Sequence, residues 1–290
     1  MKEERIAVLT DSCGDVPPVM ARERHLYILP MKLTFNDGVY TDGVDITAAE
    51  VYRRLPEEMP KTSLPSAEDV LALFDAVRDA GYTHLFAIIF SSGLSGTYNM
   101  VRMLAEDYED LTICVADTLS GSLGSGGIAL YVSELIEAGW SYDAIKARLP
   151  HLIANTRVFF SIDTLEYLQK GGRIGKITAA AGTLLNVKPI IHFSDDGQLE
   201  SLAKVRGRRK SMQKLVALAA EATRRFDHYV LMSGSGGCPE DAAFIWEQLK
   251  TACPDYTTHY DGEIDGVLGA YTGPNLVGAG VIGLEEADLI

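Results

Sequence analysis

The sequence predicts an α/β protein of two domains, the first built on a parallel sheet and the second on a mixed or antiparallel one. Three observations carry this. Before residue 150, short apolar runs alternate with amphipathic helical patterns. Beyond residue 155, strand-like runs follow one another closely around a turn signal, Asp195-Asp196-Gly197. The 290 residues also leave room for two domains, at roughly 100–200 residues each.

The elements follow in order. Arg5–Thr10 (RIAVLT) reads as a buried strand ending in Asp11-Ser12. Ser66–Ala80 reads as a helix, with Ser66 and Asp69 as a capping pair ahead of Val70, Leu71, Phe74 and Val77. His84–Phe90 is a second strand, closed by the small polar loop Ser91–Gly96, and Ser95–Asp107 is a helix. Leu111–Ala116 is a third strand, ending at Asp117-Thr118, and Gly124–Ala138 a further helix. Near-continuous apolar strands separated by helices indicate a parallel sheet covered on both faces, a Rossmann-like arrangement. Ligands of such sheets bind at the carboxyl ends of the strands, and each strand here ends in hydroxyl-bearing or acidic residues.

The helix around Tyr142–Ala154 closes the N-terminal domain, 1–154, and the strand Arg157–Ile162 opens the C-terminal domain, 155–290. Val187–Phe193 and Leu199–Val205 flank the turn signal as a hairpin. Helices at Ser211–Phe226 and Glu240–Thr251 surround a strand beginning at His228, and a Gly-rich apolar stretch runs from Gly262 to Leu284.

Composition narrows the function. Hydrophobic residues make up 47% and charged residues 23%, enough for a full core. Lys and Arg total 26 against 40 Asp and Glu, a formal charge of −14. Such a surface repels phosphate backbones and anionic lipid over most of its area, which argues against a nucleic-acid binder or a general membrane binder. Cys13, Cys114, Cys238 and Cys253 show no ligand spacing, so neither a zinc site nor a disulfide framework is expected. The N-terminus lacks the apolar stretch of a signal peptide. Apolar runs fall short of the ~20 residues that span a bilayer. A cytoplasmic location is the expectation.

Two motifs fail on inspection. Gly124–Ala129 fits GxGxxG/A after a strand, but the acidic residue expected about 20 positions on, at a second strand end, is absent. Close helix–sheet packing is the better reading. Gly171–Lys176 lacks the first Gly and the Ser/Thr of a P-loop. Ser95 sits in a strand-to-helix loop as a nucleophile elbow would, yet Thr97 stands where that motif needs Gly. N-capping and contact with an anion are the competing roles for its hydroxyl. Thr62-Ser63-Leu64-Pro65-Ser66 is a second hydroxyl cluster, either a lead-in to the helix or a second wall of donors. Lys204–Lys210 (KVRGRRK) holds five basic residues in an acidic chain. It reads as a solvated cluster or as a docking site for a phosphate or an acidic partner.

Together these segments resemble the DegV family of bacterial fatty-acid-binding proteins. The resemblance lies in Thr10-Asp11-Ser12, Thr62-Ser63-x-Pro65-Ser66, Ser91–Tyr98 (SSGLSGTY) and Asp163–Ile174 (DTLEYLQKGGRI), then Lys188-Pro189-Ile190, Arg206 and Thr272-Gly273-Pro274. It implies two α/β domains with a long-chain fatty acid between them, the acyl chain running into the C-terminal domain. It also implies that the carboxylate is presented to a separate ATP-dependent fatty acid kinase, with transient membrane contact for lipid exchange and no cofactor beyond the lipid. By position, Thr62 and Ser95 are the head-group hydroxyls, with Ser63, Gly96 and Thr97 beside them, and Arg173 and Arg206 match arginines that engage the kinase. One departure stands out. The family's usual His before Thr-Gly-Pro is Tyr271; a phenol donates a hydrogen bond but, unlike an imidazole, supplies no proton switch near neutrality. Two other readings therefore remain, a Ser95-dependent acyl hydrolase and a binder of a different amphipathic anion. Apolar residues of Thr178–Ile191 and Val267–Ile282 are the expected pocket walls.

Overall fold

A computed structural model of the chain describes residues 4–177 and 186–290; the part of the expected pocket wall at 178–185 lies outside them. The strands are β1 (Ile6–Asp11), β2 (Leu26–Leu29), β3 (Lys32–Phe35), β4 (Gly38–Thr41), β5 (Lys61–Ser63), β6 (His84–Ile89), β7 (Thr112–Asp117), β8 (Thr156–Ser161), β9 (Val187–Phe193), β10 (Leu199–Arg206), β11 (His228–Ser235), β12 (Thr258–Glu263) and β13 (Val277–Leu284). The helices are α1 (Pro18–Glu23), α2 (Ala48–Arg54), α3 (Ala67–Asp79), α4 (Thr97–Glu106), α5 (Leu123–Glu137), α6 (Tyr142–Ala154), α7 (Glu166–Lys170), α8 (Arg208–Thr223), α9 (Pro239–Ala252) and α10 (Gly266–Thr272).

The apolar runs of the first half form a parallel sheet of order β2-β1-β6-β7. Strand order reverses between β1 and β6, which opens a crevice beyond their carboxyl ends. The second half forms a mixed sheet, β10-β9-β8-β13-β11-β12, antiparallel except for β11 and β12. The α/β class and both sheet types agree with the sequence reading.

Helix α5 lies between the two sheets. It packs on β1 and β6 on one side and on β8, β11 and β13 on the other, so Leu123–Ser133 is buried on every face. The GxGxxG/A pattern serves this packing: a Cβ on Gly126 would fall 1.8 Å from the Gly14 carbonyl oxygen, and one on Gly127 2.4 Å from Met232 Sδ. One continuous core runs through both sheets, joining Val8, Phe86 and Ile128 to Val158, Met232 and Ile282. Helices α3 and α4 cover the outer face of the parallel sheet through Phe74, Val77 and Val101. Helices α8 and α9 cover the outer face of the mixed sheet through Leu215, Ile245 and Leu249. The layers are therefore helix, sheet, helix, sheet, helix. The capping pair of α3 is present, with Ser66 and Asp69 exchanging hydrogen bonds of 3.0 Å.

Residues 26–63, which the sequence reading left without elements, hold β2, α2 and a small antiparallel sheet, β4-β3-β5. Thr62 and Ser63 sit on its edge strand. The Gly-rich C-terminal stretch resolves into α10, capped by the Asp265 side chain on the Leu268 amide (2.7 Å), and β13, an interior strand of the mixed sheet.

Candidate functional site

Beyond the carboxyl ends of β1 and β6, between the small sheet, α10 and the mixed sheet, lies a cavity of ≈ 200 Å³. Phe90, Phe160, Ile191, Phe193, Leu268 and Leu276 give it a mainly apolar wall. The polar side chains of its lining are the hydroxyls of Thr62, Ser63, Ser95, Ser122, Tyr271 and Thr272, the Cys13 thiol and the Arg173 guanidinium. Among the described residues, no carboxylate or imidazole lines it.

Each part has a local cause. The Ser91–Gly96 loop is pinned on the β9–β10 turn: Ser91 Oγ donates to the Gly197 carbonyl (2.8 Å), and Gly93 approaches so closely that a Cβ would sit 2.6 Å from Gly197 C. This holds Ser95 at the start of α4. Gly96, not Ser95, is the N-cap, and it contributes no side-chain bond, so first-turn amides of α4 are left without an intrahelical acceptor. Ser95 Oγ accepts from the Thr97 amide (3.3 Å) and shares a 2.8 Å hydrogen bond with Thr97 Oγ1. Thr97 itself is fully buried behind Ser95, with Met31 Sδ as its other partner. When Thr97 donates to Ser95, the Ser95 proton is free for an acceptor in the cavity.

Thr62 Oγ1 and the Tyr271 phenol are hydrogen-bonded to each other. The hydroxyls of Thr272 and Ser122 are committed elsewhere, to the Leu268 carbonyl (2.9 Å) and to Asp15. Arg173 stands exposed at the rim, its guanidinium 5.2 Å from the Tyr271 ring centre. The structure therefore brings Thr62, Ser63, Ser95, Gly96, Tyr271 and Arg173 to one cavity. Arg206 is not in that group and lies exposed at the end of β10. Of the neighbouring basic cluster, Arg208 is structural: it bonds Asp241 at 2.7 Å and the Asn275 carbonyl at 2.6 Å. Those bonds account for a positive charge at the start of α8.

Several carboxyls support this arrangement from behind; the sequence marked Asp11 as a strand-end residue but gave no sign of Asp15, Asp42 or Asp265. Asp11 Oδ2 accepts the Phe90 amide (2.8 Å), fixing a wall residue, and burial raises its pKa to about 7. Asp15 Oδ1 accepts the Asp265 amide (2.8 Å) and Asp42 Oδ1 the Gly266 amide (3.2 Å), so both hold the start of α10, which carries Tyr271. Burial raises Asp15 to about 7 and pushes Asp42 and Asp265 up as well. The same burial, with these carboxyls nearby, lifts the Cys13 thiol and keeps it protonated. Val267, Leu268 and Leu276 line the cavity as the sequence suggested; Phe90, Phe160 and Phe193, each at or near a strand end, were missed. Among the described residues, no cluster of three or more His, Cys, Asp or Glu is placed to hold a metal, and no helix is long and apolar enough to cross a membrane.

The chain is similar to known proteins over nearly its full length. A DegV domain-containing protein of Clostridium acetobutylicum is 35% identical over 285 residues, covering 98% of this chain and 100% of the relative. A Thermus thermophilus DegV family protein described as fatty-acid binding superposes with a TM-score of 0.89 at 28% identity, covering 97% of this chain and 100% of that one. A stearic acid-binding protein of Eubacterium ventriosum superposes at 0.87, also at 28% identity, over 96% of this chain and 98% of the other. The family model described as an uncharacterised protein of the DegV family matches residues 5–284. A shared fold over nearly the full chain, the sequence relatives and the matched model make this chain a member of the DegV family.

Proposed function

We propose that this chain binds a long-chain fatty acid in the cavity between its two halves and presents the carboxylate to a separate ATP-dependent fatty acid kinase. In this reading residues 1–154 form the domain that supplies the hydroxyls of Thr62, Ser63 and Ser95. Residues 155–290 form the domain that houses most of the acyl chain, and they also supply Tyr271. The observation that carries the reading is the lining, which among the described residues has apolar side chains, a few neutral hydroxyl donors, one rim guanidinium and no carboxylate or imidazole. The solved relatives described as fatty-acid binding support it.

The physics is simple. Burying about fourteen methylenes at about 0.8 kcal/mol each supplies roughly 11 kcal/mol gross. An unpaired buried carboxylate would remove several kcal/mol of this. Hydroxyl donors at Thr62, Tyr271 and Ser95 offset that cost. The tail sets strength and the head group sets orientation. Arg173 at the rim, and Arg206 further out, are the docking residues for the kinase. Acyl-phosphate formation needs no acid or base from this chain, because positioning and charge stabilisation come from the partner's nucleotide and metal. The same lining opposes an acyl hydrolase, since among the described residues Ser95 has no general base beside it.

Denaturing mass spectrometry of the protein purified from cells tests the proposal. A co-purifying C14–C18 fatty acid is expected. A lipid-free protein that also takes up neither palmitate nor oleate would overturn it.

A further inference from the structure

A second cavity, of ≈ 650 Å³, lies on the other side of one side chain of the first. Phe193 lines both, and among the described residues no other side chain does. The new cavity sits between the edge strand β7, helix α6 and the start of β8, with Leu149, Ile153, Val158 and Phe193 as its apolar surface. Lys146 and Arg157 flank it, and Asp195 is the single carboxylate at its edge.

Three features mark it as a site rather than a packing gap. First, its basic groups are free of acidic partners in a chain of net charge −14. Among the described residues neither Lys146 nor Arg157 is in an ion pair; Arg157 donates only to the Ala154 and Thr156 carbonyls, at 2.8 and 2.7 Å. Second, apolar surface and positive charge meet at one place, which is the complement of an alkyl chain with an anionic head. Third, the partition is thin. A Cβ on Gly121 would fall 2.1 Å from the Phe90 ring and 3.1 Å from that of Phe193, so the two rings close the gap only because residue 121 has no side chain. The loop that carries Gly121 is fixed: the Ser91 amide donates to the Ser120 carbonyl (2.9 Å), the Ser122 amide donates to the Cys13 carbonyl (2.7 Å), and Leu119 and Ser122 hold positive φ.

We propose that this second cavity binds an anionic amphiphile, its head at Lys146 and Arg157 and its apolar part on Leu149, Ile153 and Phe193, independently of what fills the first cavity.

The probe is 1-anilinonaphthalene-8-sulfonate, titrated by fluorescence into protein loaded with a single equivalent of palmitate, which the first cavity takes up. One equivalent is expected to bind. Ile153→Trp, which fills the cavity, and the exposed double variant Lys146→Glu with Arg157→Glu are each expected to weaken it at least tenfold. Thr62→Ala with Ser95→Ala is expected to leave it unchanged. No binding to the palmitate-filled protein, equal affinity in wild type and both cavity variants, or loss in the Thr62/Ser95 variant instead, would overturn the proposal. If the protein takes no palmitate, the same titration on the protein alone, read through the same variants, still decides. Failure of the fatty-acid reading and failure of this site are thus separate results.

Discussion

The phenol of Tyr271 and the hydroxyl of Thr62 are hydrogen-bonded across 209 residues of sequence, tying α10 to the edge strand β5 at the wall of the first cavity. The pair joins the two halves of the chain at the place where a head group is proposed to bind. It also means that neither hydroxyl is idle before a ligand arrives.

A double-mutant cycle with Thr62→Val and Tyr271→Phe therefore has a definite expectation. In the ligand-free protein the pair should show a coupling of about 1 kcal/mol in unfolding free energy. With palmitate bound, the coupling should shrink as the carboxylate takes both protons. A coupling near zero in the free protein, or one unchanged by palmitate, would show that the two hydroxyls do not share a carboxylate.

Thr62→Ala combined with Ser95→Ala should weaken palmitate at least tenfold while leaving the fold intact, because each site is only partly buried. Isothermal titration beside a circular dichroism melt checks this. Unchanged affinity would remove both residues from the head-group role.

Tyr271→His should alter head-group preference more than chain-length preference, since the apolar wall is untouched. Competition between palmitate and other anionic amphiphiles, on wild type and variant, measures it. Identical rankings would mean that residue 271 does not select the head.

Stability should depend on pH through buried groups that act in opposite directions. Asp11 and Asp15, both raised to about 7 by burial, bind more protons in the folded state between their unfolded value near ~4 and about 7. They favour folding at low pH, and that contribution is lost as pH rises through 7. His259, lowered by burial to about 4, acts the other way, costing stability as pH falls below ~6.5. Above pH ~6.5 only the aspartate term remains, so stability should go on falling from pH 6.5, by less than about 1.4 kcal/mol per pH unit for each carboxyl, and the fall should flatten towards pH 8 as Asp11 and Asp15 lose their protons around pH 7. Urea titrations at pH 6.5, 7.25 and 8 test it, with Asp15→Asn expected to make the fall shallower. A flat or rising profile in wild type would contradict the assignment.

Gly126→Ala and Gly127→Ala separate backbone from side-chain crowding in one helix. At position 126 the new Cβ meets a carbonyl oxygen of the chain, which cannot rotate away, and a loss of roughly 1–3 kcal/mol is expected despite the better helix propensity of Ala. At position 127 it meets the flexible end of Met232, and the loss should be smaller. Equal costs would refute the packing account of α5.

What the sequence revealed follows from physical range. β1, β6 and β7 are continuous apolar runs, and α3 carries its own start signal in Ser66 and Asp69, so both could be read locally. The small sheet could not: β3, β4 and β5 have three or four residues each, half-exposed, with no period long enough to register. Ser95 was legible in the polar loop after an apolar strand, whereas Thr62 stood out only as part of a hydroxyl cluster ahead of α3 and through the family resemblance. Phe90, Phe160 and Phe193 look like any core aromatic until the distance between the two sheets is known. Asp11 and Asp15, Asp42, and Asp265 come from three separate segments, and only the fold brings Asp15 and Asp42 to Asp265 at the start of α10.

Because α5 is gripped from both sides, the molecule has a spine instead of a hinge. Swinging one half away from the other would strip water-shy surface from a whole helix at once, so opening of that kind should coincide with global unfolding and give one calorimetric transition. Traffic into the first cavity is then left to small pieces at its mouth, such as the half-exposed Leu64, whose methyls lie against Gly96.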